Sequence, residues 1–108
     1  MTLDPKTQAR VEARAEIIKA LAHPTRVFIV EELAHGERCV CDLRDMIGGD
    51  MSTISRHLSL LRTAGLVCDD KRGTQVFYSL ACPCILNLFS CVEQAARQTA
   101  IRRMEAVS

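Results

Sequence analysis

Apolar residues recur every three or four positions through much of the 108-residue chain, which is the spacing of amphipathic helices. Asp4 followed by Pro5 is a helix start, and Pro24 ends the first helix and begins a second. After Gly65 the pattern changes to the short β-prone runs of a hairpin. The pattern predicts helices over about residues 5–22, 24–35, 40–47, 51–64 and 83–105, and a hairpin over about 66–80.

The predicted elements include two short helices joined by a Gly-containing turn and followed by a β-hairpin. This order is typical of a winged helix-turn-helix, a mainly α fold with a small hairpin. We expect the chain, residues 1–108, to be one such DNA-binding domain. Its helix-turn-helix would span about 40–64 and its wing about 66–80.

The fourth predicted helix has an apolar face and a polar face. Ile54, Leu58 and Leu61 have the spacing of buried residues, whereas the polar face carries hydroxyls and an arginine, and the helix contains no acid. Such side chains can reach the base edges and phosphates of double-stranded DNA. Two basic residues at the hairpin tip suit the DNA backbone, although Asp69 and Asp70 cancel their charge. The predicted DNA-binding residues are Ser52, Thr53, Ser55, Arg56, His57, Ser59, Lys71 and Arg72.

The composition narrows the class of protein. Hydrophobic residues make up 48% and charged residues 25%, as in an ordinary globular domain, and the net charge is +1. The N-terminus lacks the apolar run of a signal peptide and no apolar segment has the length of a membrane span, so we expect a cytoplasmic protein without a membrane partner. Because the chain has no Cys-x-x-Cys, nucleotide-binding loop or acid/base pair, we do not expect an enzyme or a catalytic cofactor.

Six cysteines in a reducing compartment predict metal binding or redox activity rather than structural disulfides. Cys39 is at the predicted cap of the third helix and Cys41 is in its first turn, where free backbone N–H groups and the helix dipole lower a thiol pKa. Cys82 and Cys84 flank Pro83 in the same arrangement at the predicted start of the last helix. Thiolates of this kind select thiophilic ions, and the two pairs could lie close enough to share one.

The other two cysteines are interpreted mainly as packing residues. Cys91 lies among Leu88, Phe89 and Val92 on the last helix, which favours a core position over a ligand. Cys68 is in a predicted wing strand and is expected to pack there. The candidate metal ligands are therefore Cys39, Cys41, Cys82 and Cys84, with Cys91 less favoured.

Four segments carry a resemblance to a known family. They are L-A-H-P-T-R-V-F-I-V from Leu21, C-V-C-D-L from Cys39, S-T-I-S-R-H-L-S-L-L-R-T-A-G-L-V from Ser52, and F-Y-S-L from Phe77. Over roughly residues 15–80 the chain resembles the ArsR/SmtB family. The resemblance implies a homodimeric winged-helix repressor that leaves its operator when it binds a metal or metalloid, or when its thiols are oxidised. It also implies that the first and last helices build the dimer.

The C-V-C-D-L segment is similar to the element with which arsenical and antimonial sensors of that family bind a trivalent metalloid through three thiolates. Those sensors often have a third cysteine three residues after the second, where this chain has Arg44. The resemblance thus implies As(III), Sb(III) or another thiophilic ion as the regulatory ligand, with one thiolate still to be found. Two alternatives remain open. One is a disulfide or polysulfide bridge from the Cys39/Cys41 pair to a cysteine after the hairpin, and the other is a thiol metal carrier that binds no DNA.

Overall fold

The computed structural model describes residues 2–107, which form five helices and a three-stranded antiparallel sheet. The predicted winged helix-turn-helix order is confirmed, with the third and fourth helices followed by a hairpin. In chain order the elements are α1 (Pro5–Leu21), α2 (Pro24–Leu33), β1 (Arg38–Cys39), α3 (Val40–Ile47), α4 (Met51–Thr63), β2 (Val67–Arg72), β3 (Gln75–Leu80) and α5 (Ile85–Val107).

Side chains that accept backbone N–H groups set where the first four helices begin. Asp4 accepts the N–H of Thr7 at 3.0 Å at the start of α1, and Asp50 accepts that of Thr53 at 2.8 Å at the start of α4. The Nδ1 atom of His23 does the same for α2. These bonds satisfy donors that the first turn of a helix leaves without a partner, and the helix start predicted at Asp4 is confirmed.

The wing is the hairpin β2–β3, as predicted. Its strands pair from Val67 opposite Leu80 to Arg72 opposite Gln75. Gly73 begins the two-residue turn with a φ of 64°, in the left-handed region that glycine adopts without a steric penalty. The turn therefore begins after Arg72, and Arg72 is a strand residue rather than a turn residue.

The strand β1 was not predicted from the sequence, because two residues show no periodicity. It pairs with β3 in the register Arg38 opposite Tyr78 and Cys39 opposite Phe77. The sheet order β1–β3–β2 places β3 in the centre, so the residue that begins α3 is attached directly to the wing. This attachment matters because Cys39 is one of the candidate ligands.

One apolar cluster lies beneath the helix-turn-helix and the sheet. It contains side chains from all five helices, from the loop before the wing, and from β2 and β3. The helix α4 therefore packs on a fixed apolar base. Its buried members are Leu21, Ile29, Val30, Leu33, Leu43, Ile54, Leu58, Leu61, Leu66, Val67, Tyr78 and Ile85.

In contrast, α1 and α5 leave apolar side chains exposed. On α5, Val92 is 57% exposed and Met104 is 72% exposed, and on α1 Ile18 is 57% exposed. An open apolar groove of about 740 Å³ runs between α1, α2 and α5, with Ile18 and Val92 among its lining residues. Within residues 2–107 these faces have no covering element.

The last helix begins later than the sequence suggested. The Cys-Pro pattern predicts Pro83 as the first helical position, but Pro83 and Cys84 form a turn and α5 begins at Ile85. The turn bonds run from the N–H of Ile85 to the carbonyl of Cys82 at 3.2 Å and from Leu86 to Pro83 at 3.1 Å. Both cysteines of this pair therefore precede the helix.

Over the described residues, we find no helix with the length and apolar character needed to span a bilayer.

Candidate nucleic-acid interface and cysteine sites

The polar face of α4 is exposed at every position predicted for it except His57. Ser52, Thr53, Ser55, Arg56 and Ser59 all lie at the surface, while Ile54 and Leu58 are at most 1% exposed. The hydroxyl of Ser52 donates to the capping carboxylate of Asp50 at 2.7 Å. The helix therefore presents short polar side chains and Arg56 on a rigid base, and contact of these residues with DNA stays a prediction.

The prediction that His57 belongs to the outward face is wrong, because the side chain is only 9% exposed. Its ring centroid lies 4.5 Å from that of His23, and its Nδ1 atom lies 3.3 Å from the Nη1 atom of Arg26. Arg26 also donates from Nε to the carbonyl of Ala20 at 2.6 Å. His57 therefore joins α4 to the junction of α1 and α2.

Burial and nearby positive groups disfavour the charged form of the His57 imidazole. Desolvation is the largest effect, followed by charge repulsion from His23, Arg26 and Arg56, and together they lower the pKa of His57 below its ordinary value of 6.5. A neutral His57 suits this position, since a proton there would face Arg26 at hydrogen-bond distance.

The two basic residues of the wing differ in their surroundings. Arg72 is held by the carboxylate of Glu37 through two bonds of 2.6 and 2.9 Å, and by Asp70 at 2.9 Å. Its guanidinium lies 4.6 Å from the centroid of the Phe77 ring. Lys71 is exposed and forms no ion pair among the described residues. The predicted role of Arg72 at the DNA backbone thus requires it to exchange Glu37 and Asp70 for phosphate.

Cys39 is a structural cap as well as a candidate ligand. Its sulfur accepts the N–H of Asp42 at 3.4 Å, and the Asp42 carboxylate accepts the N–H of Cys39 at 3.4 Å, which completes a capping box. The side chain is buried, whereas that of Cys41 is exposed. The predicted cap position is confirmed, and α3 begins at Val40 because of it.

The expectation of a lowered pKa at Cys39 is wrong. The Asp42 N–H stabilises the thiolate and is the largest single effect, but burial and the hydrogen bond and charge of the Asp42 carboxylate together outweigh it. They raise the pKa of the Cys39 thiol. A ligand that binds the Cys39 sulfur must therefore displace a proton that the fold retains.

Cys82 and Cys84 are brought together, with their sulfur atoms 3.0 Å apart. A hydrogen bond to Cys82 and its charge raise the pKa of the Cys84 thiol. Cys82 is partly buried and Cys84 is exposed, so the pair lies at the surface between the wing and α5. The expectation that these two sulfurs form a pair is supported by this distance.

The expected sharing of one site by the two cysteine pairs is wrong for a single chain. Cys39 lies opposite Phe77, and the antiparallel register carries residues after Cys39 away from the end of β3. Cys82 is five residues beyond Phe77, and the last two of those residues lie past the end of β3 at Leu80. A disulfide or polysulfide bridge from the Cys39/Cys41 pair to a cysteine after the hairpin stays a prediction.

No three His, Cys, Asp or Glu side chains among residues 2–107 form a group able to hold a metal ion. One chain therefore supplies pairs of thiols rather than three converging ones. A trivalent metalloid bound by three protein thiolates does not fit within a single copy of this chain.

The two remaining cysteines are exposed, so the packing roles expected for them are wrong. Cys68 lies opposite Ser79 in the hairpin, with 3.2 Å between its sulfur and the Ser79 hydroxyl. Cys91 faces outward on α5, although Leu86 and Phe89 of the same helix pack on the core. Both serve as exposed reference thiols for the experiments below.

The sequence reasoning missed Glu37 and Arg26. Glu37 holds Arg72 across 35 positions of the chain, and Arg26 reaches His57 across 31. Neither contact has a local pattern, because both depend on how distant elements pack. Arg26 and His57 both lie in segments that resemble the ArsR/SmtB family, but that resemblance does not indicate that the two side chains contact each other.

The chain was compared with known proteins. The family described as bacterial regulatory protein, arsR family, matches residues 23–68. The arsenical resistance operon repressor of Escherichia coli is 46% identical over 67 residues, which are 61% of this chain and 57% of that protein. An uncharacterized HTH-type transcriptional regulator of Methanocaldococcus jannaschii is 37% identical over 86 residues, which are 79% of this chain and 97% of that protein.

A solved structure gives the same fold. The solution structure of a homodimeric winged helix-turn-helix DNA-binding domain from Mycobacterium bovis, a possible ArsR-family regulator, is 30% identical with a TM-score of 0.77. The match covers 92% of each chain. This chain spans 57% of the length of the HTH-type repressor SmtB of Mycobacterium tuberculosis, to which it is 36% identical over 77 residues.

Proposed function

The chain belongs to the ArsR family of bacterial regulatory proteins, and from this we propose that it is a homodimeric repressor of transcription that binds double-stranded operator DNA in the cytoplasm. The observation that carries the proposal is the exposed face of α4. Its five exposed hydroxyl and arginine side chains, with no acid on the helix, stand on a buried apolar face. A polar helix that merely faced water would have no need to exclude acidic residues.

In this proposal α4 enters the major groove. Arg56 has no ion-pair partner among the described residues, so its guanidinium is available to a guanine edge or a phosphate. The serines and Thr53 allow close approach of the helix to the DNA, and Lys71 of the wing meets the neighbouring backbone. Arg72 joins it only where phosphate displaces Glu37.

The homodimer follows from the exposed apolar faces of α1 and α5. A second copy of the chain would cover Ile18, Val92 and Met104, which a single copy leaves in water. The Mycobacterium bovis domain of the same fold is described as homodimeric. Two copies would place two α4 helices on successive major grooves, about 34 Å apart, so we expect an operator with two symmetric half-sites.

We further propose that a thiophilic ligand at Cys39 and Cys41 releases the DNA, with As(III) or Sb(III) as the first candidates. The similarity to the arsenical resistance repressor and the C-V-C-D-L segment support this choice. Because no third cysteine joins Cys39 and Cys41 in a metal-binding group within residues 2–107 of one chain, the third ligand comes from a second copy or from a group outside the protein.

Cys39 provides the connection between ligand and DNA. A ligand on its sulfur competes with the Asp42 N–H for the sulfur lone pairs and so loosens the start of α3. Leu43 of α3 and Leu58 of α4 belong to the same buried cluster, so a shift of α3 changes the packing of α4. The ligand lowers DNA affinity only if it binds the DNA-free arrangement more tightly than the DNA-bound one.

DNA binding is tested by selection from a random duplex library with the full chain. The selected duplexes should contain a symmetric pair of half-sites, and fluorescence anisotropy should give two chains per duplex. If no duplex is enriched, the repressor function is rejected. The remaining function for the cysteines is then that of a thiol metal carrier.

The ligand is tested by adding arsenite to the complex with a selected duplex. We expect release from the wild type, loss of the response in Cys39→Ser and in Cys41→Ser, and an unchanged response in Cys68→Ser, which replaces an exposed thiol. A wild-type complex that persists in arsenite would reject this ligand without affecting the DNA function. Loss of response in Cys82→Ser with retention in Cys39→Ser would move the site to the other pair.

A further inference from the structure

The turn between the wing and α5 brings two thiols into contact. The sulfur atoms of Cys82 and Cys84 are 3.0 Å apart, and Cys84 is exposed. We propose that Cys82 and Cys84 form a reversible dithiol–disulfide site within one chain, with a hydroperoxide as the oxidant. This site goes beyond DNA binding and beyond the ligand site proposed for Cys39 and Cys41.

The 3.0 Å between the sulfurs is longer than a disulfide bond and shorter than the separation of two thiolates on one metal ion. Two thiolates on one ion at about 2.3 Å each are about 3.8 Å apart in tetrahedral geometry and about 4.6 Å apart in linear geometry. A disulfide needs about 2.05 Å. From 3.0 Å, the sulfurs reach the disulfide by moving together, whereas an ion requires them to move apart.

The second Cys-x-Cys pair of the chain provides an internal contrast. Cys39 is buried, and its sulfur accepts the N–H of Asp42 at 3.4 Å, so a bond to Cys41 would remove the cap of α3. Cys82 and Cys84 precede α5, and within residues 2–107 neither of their sulfurs accepts a backbone N–H group of that helix. The same spacing therefore predicts a disulfide at one place and none at the other.

The reaction takes two electrons from the pair. The thiolate of one cysteine attacks an oxygen of hydrogen peroxide, the O–O bond breaks, and a sulfenic acid and hydroxide form. The sulfur of the other cysteine attacks the sulfenic sulfur, the S–S bond forms and the S–O bond breaks, and the second hydroxide leaves. The two thiol protons convert both hydroxides to water, so peroxide is reduced as the dithiol is oxidised.

The surroundings favour a strained and hence reducible bond. The N–H of Ala81 donates to the carbonyl of Leu66 at 3.0 Å, and Ile85 is buried, so both ends of the tripeptide are anchored. Closing a bond across Pro83 must therefore bend this tripeptide. Strained, exposed disulfides have higher reduction potentials and are the labile ones, so thiol reductants should reopen this bond.

The test uses the reduced full-length protein without DNA, treated with hydrogen peroxide and then with a thiol-alkylating reagent. Intact mass should show that two of the six thiols are lost as a single disulfide within one chain, and peptide mapping should assign it to Cys82 and Cys84. A dithiol reductant should restore all six. Cys82→Ser and Cys84→Ser should each abolish the bond, while Cys91→Ser, which changes an exposed thiol, should retain it.

Several outcomes would overturn the proposal. These are six alkylated thiols after peroxide, a bond between Cys39 and Cys41, a bond between two copies, or oxidation to sulfinic acid without any bond. Each readout is made on protein free of DNA. Failure of this proposal is therefore distinguishable from failure of the repressor function.

Discussion

The helices α4 and α5 are both amphipathic, yet only α4 buries its apolar face within the chain. Leu58 of α4 is fully buried, as part of a cluster to which all five helices contribute, whereas Val92 of α5 is 57% exposed. The polar faces of the two helices differ in their charged residues. That of α4 has no acid and carries Arg56, which forms no ion pair within residues 2–107, while that of α5 carries acids and bases, including the pair Glu93–Arg97 at 3.1 Å.

The difference shows that each helix has one face completed by the chain and one that is left for a partner. For α4 the incomplete face is polar and suits DNA, and for α5 it is apolar and suits a second copy of the chain. Substitutions on the completed faces should therefore act on folding, and substitutions on the incomplete faces should act on association.

The largest effect is expected for Leu58→Ala. Truncating a fully buried leucine leaves a cavity and should lower the free energy of unfolding by about 2–5 kcal/mol, measured by urea denaturation. The matched control is Ser59→Ala at the next, exposed position, which should leave the unfolding midpoint nearly unchanged. Equal losses in both variants would mean that α4 does not have the two distinct faces described above.

The next effect is expected for Val92→Asp, which places a charge on the apolar groove. Sedimentation should show that the wild type is a dimer and that this variant is a monomer at micromolar concentration, with its far-UV circular dichroism retained. The control is Gln94→Asp, which puts the same charge on an exposed position outside the groove and should leave the dimer intact. A dimeric Val92→Asp protein would place the interface elsewhere.

A smaller effect is expected for Glu37→Gln in the wing. Removing this carboxylate frees Arg72 to contact phosphate, so DNA should bind severalfold more tightly. The slope of log K against log salt should steepen by about 0.9, the value for one more phosphate contact. Glu12→Gln on α1 changes the net charge equally and is the control. An unchanged salt slope would show that Glu37 does not compete with DNA.

The smallest effect is expected for the pH dependence that His57 contributes. Because its folded-state pKa is lowered, the unfolded chain binds the proton more readily. Stability should thus be full above the ordinary value of 6.5 and should fall as the pH drops from there toward the folded-state pKa. His57→Gln should flatten this part of the stability curve, whereas His35→Gln, at an exposed position, should not. The same slope in His57→Gln and in the wild type would assign the effect to another group.

Local patterns predicted most of the fold. Helical spacing and helix starts such as Asp4 placed the first four helices to within about two residues of their ends. The start of α5 was wrong because Cys-Pro resembles a helix start, while the chain makes a separate turn there. The polarity of His57 predicts an outward position, but its spacing of three from Ile54 and four from Leu61 puts it on the apolar side.

The candidate sites were less predictable, because they depend on long-range packing. The Cys82–Cys84 contact could be expected from two cysteines one residue apart, and its distance of 3.0 Å agrees. The separation of the two cysteine pairs could not, since it follows from the register of a strand, β1, that has no sequence signature. The Glu37–Arg72 contact likewise has no local pattern.

The most direct test of the central claim is the affinity of Arg56→Ala for a duplex selected with the wild type, measured by fluorescence anisotropy at fixed salt. Arg56 is exposed and forms no side-chain hydrogen bond or ion pair within residues 2–107. The variant should therefore fold normally and bind the duplex about 10- to 100-fold more weakly. Circular dichroism and sedimentation would verify that the folded dimer is retained. Wild-type affinity in a correctly folded Arg56→Ala dimer would contradict the assignment of α4 as the DNA-reading helix.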